Sequence, residues 1–282
     1  MKLTNIFSML GGLALFLYGM NMMSNGLELA AGNKMKTILE KLTSNRILGV
    51  LVGALVTAII QSSSATTVMV VGFVNSGLMS LTSAVWVIMG ANIGTTITGQ
   101  LIAIDITAIA PLIAFIGVAM IVFFKSKKLD AFGSVIGGLG ILFIGMETMS
   151  NAMVPLRTMP EFVGLISKFQ NPFIGILVGA LFTALIQSSS ASVGILQALA
   201  KSGVMTLSSS IYVLFGQNIG TCITSVLASI GTSKNAKRTT IIHLTFNIIG
   251  TVIFVSISML FPFAHLVESI TPNNVAAQIA NV

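Results

Sequence analysis

Residues 47–76 read ILGVLVGALVTAIIQSSSATTVMVVGFVNS, two apolar arms divided by the polar run Gln61-Ser62-Ser63-Ser64. As a helix, the 14 residues from Ile47 to Ile60 would rise about 21 Å. That is too short for a hydrocarbon layer of ~30 Å but long enough to pass its midplane. Backbone groups freed at a turn inside lipid need protein or a hydrated cavity around them. The stretch therefore predicts a re-entrant helical hairpin with a polar tip.

The rest of the chain has the composition such a hairpin requires. Of 282 residues, 55% are hydrophobic and 7% charged, against roughly 25% charged in soluble domains. This indicates an integral membrane protein and excludes a water-filled globular enzyme core. The single cysteine, Cys222, excludes a disulfide framework or a cysteine metal cluster. The net charge of +7 sits in short basic clusters between apolar runs, as in loops at a membrane surface, so nucleic acid is not an expected partner. Apolar runs predict spans at 6–23, 79–104, 107–124, 130–149, 205–230 and 239–262, with a second hairpin at 173–202. The first run reappears at 136–149, which no cleaved signal peptide would do.

That reappearance belongs to a long internal repeat. A shift of 126 residues superimposes 48–103 on 174–229 with 28 of 56 positions identical. Such duplication is the usual construction of secondary transporters. The halves divide as 1–128 and 129–262, with 263–282 as a C-terminal segment. Three crossings plus one hairpin per half is an odd count, which turns the second half upside down. The expected fold is an all-α integral membrane protein of two inverted-topology repeats, each with a re-entrant hairpin and a broken transmembrane helix. With the N-terminus outside, the inner loops receive Lys34, Lys36, Lys41, Arg46, Lys125, Lys127, Lys128, Lys234, Lys237 and Arg238, and the outer ones Lys2, Arg157, Lys168 and Lys201. This satisfies the positive-inside rule.

The breaks are read from a second duplicated motif. Gly90-Ala91-Asn92-Ile93-Gly94-Thr95-Thr96 corresponds to Gly216-Gln217-Asn218-Ile219-Gly220-Thr221-Cys222, and paired glycines weaken a helix. New helices are then expected to begin near Ser64, Ser190, Thr95 and Thr221. Their N-termini would meet near the midplane and offer unpaired N–H groups to an anion. Carbonyl ends near Ile60, Met89, Ile186 and Phe215 would suit Na+. No Lys or Arg lies between Arg46 and Lys125, and only Lys201 between Lys168 and Lys234. A multiply charged anion inside would thus need cations to bind with it, which points to symport. Where the halves differ, at Thr67 against Val193, Ala91 against Gln217 and Thr96 against Cys222, the oxygen counts are unequal and leave room for an extra ion in one half.

These paired motifs, with Arg238, His243 and Phe246-Asn247 in the last span, resemble the sodium/phosphate cotransporter family, which includes the animal type II carriers and bacterial relatives. The resemblance implies Na+-driven import of inorganic phosphate at the cell membrane by a multi-pass protein that is not an enzyme. It implies that Gln61 to Ser64 and Gln187 to Ser190 contribute to the substrate and sodium sites, and, with the helix termini above, phosphate ligands are expected among Gln61, Ser62, Ser63, Ser64, Asn92, Thr95, Gln187, Ser188, Ser189, Ser190, Asn218 and Thr221. Sodium ligands are expected among Gln61, Ser63, Thr66, Thr96, Gln187, Ser189, Ser192 and Thr224. Na+ is the coupling ion, and no other cofactor or transition metal is expected. The lipid bilayer is the surrounding partner, and homodimerisation is left open. The first half departs from the family by carrying Ala114-Phe115-Ile116-Gly117 in place of the His/Phe-Asn signature. Bacterial members often continue into a further helix and a PhoU-like domain, whereas this sequence stops at Val282.

Blander readings stand beside these. Gly49/Gly53 and Gly175/Gly179 are read as contacts between hairpin arms, Asn92 and Asn218 as caps at the breaks, and His243 as a satisfied core residue. Glu147 is either a functional buried acid or a group at the outer water boundary, and Asp105 a solvated loop acid. Three rivals remain. Another oxyanion, such as sulfate or arsenate, with sodium or proton coupling, would use similar donors. An intramembrane serine hydrolase would pair one of Ser62 to Ser64 with His243, and a passive anion channel would lack coupling.

Overall fold

The computed structural model of the chain describes residues 3–31, 39, 45–104, 106–124 and 126–282. Its helices are α1 (Leu3–Ala31), α2 (Arg46–Ile60), α3 (Ser63–Asn75), α4 (Leu81–Ala103), α5 (Ala110–Phe123), α6 (Lys127–Met153) and α7 (Pro160–Ser167). They continue as α8 (Pro172–Ile186), α9 (Ser189–Lys201), α10 (Leu207–Gly220), α11 (Ile223–Ala228), α12 (Lys234–Leu260), α13 (Phe263–Ile270) and α14 (Val275–Asn281). Among the described residues, five stretches are long and apolar enough to cross a membrane, α1, α4, α6, α10 with α11, and α12, and a sixth if the segments 160–170 and 172–186, bent by 103°, count as one span. The expected crossing at 107–124 is the 14-residue α5 behind a short 3-10 turn. It rises only about 21 Å, less than the five long spans. Lys2, Lys34, Lys36, Lys41, Lys125 and Asp105 lie outside the described residues.

Both hairpins form, α2–α3 and α8–α9, and their shared sequence makes the same turn twice. Gln61 closes α2 in the left-handed region (φ 59°, ψ 25°), its N–H donating to the Thr57 carbonyl. Gln187 does so for α8 (φ 59°, ψ 21°), donating to Thr183. The next residue is extended and caps the returning helix: Ser62 Oγ accepts from the Ala65 N–H at 3.1 Å, and Ser188 Oγ from Ala191 at 3.2 Å. Serine suits this position because its hydroxyl satisfies a donor that the first helical turn leaves unpaired. The new helices start at Ser63 and Ser189, one residue ahead of expectation.

Of the two breaks expected at the second motif, the one in the first half is corrected. α4 runs unbroken through 90–96, so no helix begins at Thr95, Met89 provides no carbonyl end, and Asn92 caps nothing. The glycines there serve close approach instead of flexibility. A Cβ on Gly90 would strike the Val50 carbonyl, one on Gly94 the Ala54 carbonyl, and one on Gly53 the Val87 carbonyl. The second half repeats this seam, with Gly216 on Ile176, Gly220 on Ala180 and Gly179 on Val213. Gly49 and Gly175 likewise face Trp86 and Tyr212, so the hairpin glycines pack on the following span and not on the partner arm. Between α10 and α11 the helix is interrupted, but Thr221 and Cys222 keep right-handed helical dihedrals. The interruption leaves 207–228 a single span.

These seams fix direction. α2 runs parallel to α4, and α8 parallel to α10, since later residues of one meet later residues of the other. α1 and α6 are antiparallel, and their contacts exchange across the 126-residue shift. Gly12 meets Gly145 and Met149, while Gly138 meets Gly19 and Met23. Gly19 meets Leu142, and Gly145 meets Phe16. Phe16, Leu142, Phe143 and Met149, all at most 1% exposed, form a core cluster with Ala191 and Ala198 of α9. α14 packs on α4 and α9. There Gln100 Nε2 donates to the Ala280 carbonyl at 3.1 Å, and Gln197 Nε2 to the Gly99 and Ala276 carbonyls at 3.0 Å each.

Candidate functional site

A cavity of about 280 Å³ opens between the hairpin tips, α4, α10 and α12. Ligand pockets run from ~300 Å³ upward, so this one suits a small solute. From the sequence-predicted set, Ser63, Ser189 and Ser190 of the tips, Asn92, Thr95 and Thr96 of α4, and Asn218 and Thr221 of the second motif line it. Among the described residues, no Lys, Arg, Asp, Glu or His lines it. Ser63 and Ser189 are the first residues of α3 and α9, so two helix N-termini, with their orphan N–H groups and partial positive charge, face the space.

The two tips are joined through α4. Thr98 Oγ1 donates to Gln61 Oε1 at 2.8 Å, and Ser190 Oγ reaches Thr98 Oγ1 at 3.5 Å. All three side chains are buried. The Gln61 amide nitrogen also donates to the Ala58 carbonyl. This buried anchoring offsets the left-handed backbone of Gln61, which costs a non-glycine residue about 1–2 kcal/mol. Gln187 adopts the same backbone, yet its side chain is exposed.

The remaining predicted residues stand behind or beside the cavity wall. Ser62 and Ser188 act as caps. Thr66 accepts from Thr57 at 2.9 Å across the first hairpin, whereas Ser192 donates to the Ser188 carbonyl. Thr224 donates to the Thr221 carbonyl, and the Ile60 carbonyl accepts from Ser24 at 2.6 Å. Ser64 and Gln187 are not among the lining residues. The Phe215 carbonyl, expected as a free end, accepts from Thr251 at 3.1 Å.

The wall also contains groups that the motif reading did not assign. α12 contributes Asn247 and Thr251, α10 contributes Gln217, and α14 adds Ile279 and Ala280. Asn247 is held from three sides. Its Oδ1 accepts from Asn92 at 3.1 Å, and its amide nitrogen donates to the His243 carbonyl and the Cys222 sulfur. His243 Nδ1 lies 3.2 Å from Ser225 Oγ, so its serine partner is not one of the tip serines that the hydrolase alternative requires. Glu147 is exposed on α6 and does not line the cavity.

The family described as Na+/Pi-cotransporter matches residues 15–151 and 158–270. The chain belongs to the Na+/Pi-cotransporter family. It is accordingly a multi-pass membrane protein of a sodium and phosphate transport family, with which the five long apolar spans among the described residues agree. Among relatives, YqeW of Bacillus subtilis is 32% identical over 265 residues, covering 92% of this chain and 83% of that protein. YjbB of Salmonella typhimurium, whose name provisionally assigns it inorganic phosphate export, is 28% identical over 93% of this chain and 48% of its own length. Sodium-dependent phosphate transport protein 2A of Rattus norvegicus is 40% identical over 105 residues, 36% of this chain and 16% of that protein. The chain thus spans about half the length of YjbB. No solved structure matches it.

Proposed function

We propose that the chain is a Na+-coupled symporter that imports inorganic phosphate by alternating access, with anion and Na+ bound between the two hairpin tips. The observation that carries this reading is the buried Gln61–Thr98–Ser190 link, which brings the duplicated tips together at one polar cavity. Phosphate would sit against the N-termini of α3 and α9, where Ser63, Ser189, Ser190 and Thr221 supply hydroxyls. Among the described residues a dianion there meets partial helix charges and no basic side chain, so its desolvation is uncompensated until cations enter. Hydroxyl and amide oxygens of Thr95, Thr96, Asn92 and Asn218 are suited to Na+.

Repeats of inverted topology, 1–128 and 129–262, are supported by the exchange of contacts between α1 and α6. A two-fold operation that swaps two antiparallel spans has its axis across them, in the plane of the membrane. It would bring the two hairpins in from opposite sides.

The test is radiolabelled phosphate uptake by the purified chain in proteoliposomes. Concentrative uptake is expected with an inward Na+ gradient, and none when K+ replaces Na+. Equilibration without accumulation would instead mark a channel, and accumulation driven by a proton gradient alone would remove sodium coupling. Outward transport is the second reading, favoured by the export named for YjbB. Preloaded vesicles that lose phosphate against its gradient under an outward Na+ gradient, and fail to import under an inward one, would establish it.

A further inference from the structure

Gln217 is the one long carboxamide in the cavity wall, at 2% exposure, and neither Oε1 nor Nε2 has a partner among the described residues. One helical turn later, Thr221, 4% exposed, also lines the cavity with an unpartnered Oγ1. Buried polar groups of native proteins are nearly always paired, and leaving one unpaired is costly. Two of them one turn apart in the wall of a cavity that Ser189 and Ser190 also line therefore point to a ligand that completes both. The internal repeat sharpens this. The corresponding residue of the first half is Ala91, fully buried in the continuous α4, so the fold at this position does not require an amide.

We infer that Gln217 is a specificity-determining residue that binds the oxyanion directly and selects hydrogen phosphate over sulfate. The inference rests on the phosphate reading of the same cavity. At neutral pH sulfate carries only acceptors, whereas monohydrogen phosphate has one P–OH donor beside its acceptor oxygens. A serine or threonine hydroxyl donates or accepts as required and distinguishes the two anions poorly. A carboxamide presents a fixed acceptor beside its donor. Gln217 Nε2 would donate to an unprotonated oxygen and Oε1 would accept from the P–OH. Sulfate would leave Oε1 buried without a partner, a mismatch that costs about 10-fold in affinity. Arsenate, which also retains an O–H, is expected to bind like phosphate.

The experiment compares wild type with Gln217→Met, which keeps the length and removes both polar ends, and with Gln217→Ala, which installs the residue of the first half. Folded, monodisperse protein is established by size-exclusion chromatography before reconstitution. Sodium-driven phosphate uptake is then titrated with phosphate, with Na+, and with sulfate as competitor. Both variants are expected to raise the KM for phosphate by about 10-fold and to narrow the preference for phosphate over sulfate by a similar factor, with the Na+ dependence unchanged. An unaltered phosphate-to-sulfate preference in either folded variant would overturn the inference. So would a shift confined to the Na+ titration, which would make Gln217 a cation ligand. Absence of sodium-driven phosphate uptake by wild type would instead defeat the functional reading beneath it, so the two failures are distinguishable.

Discussion

Thr98→Val is expected to lower the proposed sodium-driven phosphate uptake by roughly 5- to 150-fold while leaving a folded protein, because it removes the hydroxyl that joins the two hairpin tips. Thr98 donates to Gln61 Oε1 at 2.8 Å, well within the range of a strong hydrogen bond, while the Ser190 contact at 3.5 Å is at its outer limit. Most of the effect therefore comes from Gln61. With valine in place, the amide oxygen of Gln61 is left buried beside a methyl group, an unsatisfied acceptor worth about 1–3 kcal/mol. The Gln61 turn would relax toward whichever arrangement hydrates that oxygen, and Ser63, which begins the next helix and lines the cavity, would move with it. Thr148→Val provides the control. Its hydroxyl donates to the Ile144 carbonyl of its own helix, outside the cavity wall, and uptake is expected to stay within about 2-fold of wild type. Equal uptake by Thr98→Val and Thr148→Val would remove the tip-to-tip link from the mechanism.

How much of this site was legible beforehand depended on what kind of signal each residue carries. The turns at Gln61 and Gln187 were readable because a polar run divides each apolar stretch, and the returning helices begin within one residue of expectation. The second motif misled because glycine has two uses in a membrane helix, weakening it and letting another backbone approach. The four-residue spacing shared by Gly49/Gly53 and Gly90/Gly94 was the available clue to the second use, since small residues at that spacing on two helices form one seam. Gln61 and Gln187 occupy identical local sequence and identical turns, yet one is buried and the other exposed. That difference is set by what packs over each tip, and in the first half this is Thr98 of α4. Asn247, quoted only through the family resemblance, and the covering residues of α14 lie too far along the chain for any local pattern to place them in the wall.

The α1–α6 seam supports the sharpest structural prediction, because neighbouring glycines in one helix should respond oppositely. A Cβ on Gly12 would lie 2.8 Å from the Gly145 carbonyl and 2.5 Å from the Met149 nitrogen, whereas one on Gly11 would meet nothing within 4 Å. Gly12→Val should therefore force α1 and α6 apart along their whole length, since the obstacle is backbone and no side chain can swing away. Overpacking a core by single methylenes already costs about 1–3 kcal/mol, and separating two helices also forfeits the contacts of Phe16, Leu142 and Met149. Little or no monodisperse protein is expected in detergent. Gly11→Ala should fold normally and gain up to about 1 kcal/mol from helix propensity. The two-fold exchange of contacts adds a second requirement. Gly138, whose Cβ would lie 2.7 Å from the Gly19 carbonyl and 2.5 Å from the Met23 nitrogen, must be as intolerant of valine as Gly12, though it sits in the other half of the chain. Fluorescence-detected size-exclusion profiles of Gly11→Ala, Gly12→Val and Gly138→Val decide the matter. A wild-type profile for either valine variant would break the seam, and tolerance at only one of the two would break the symmetry proposed for the halves.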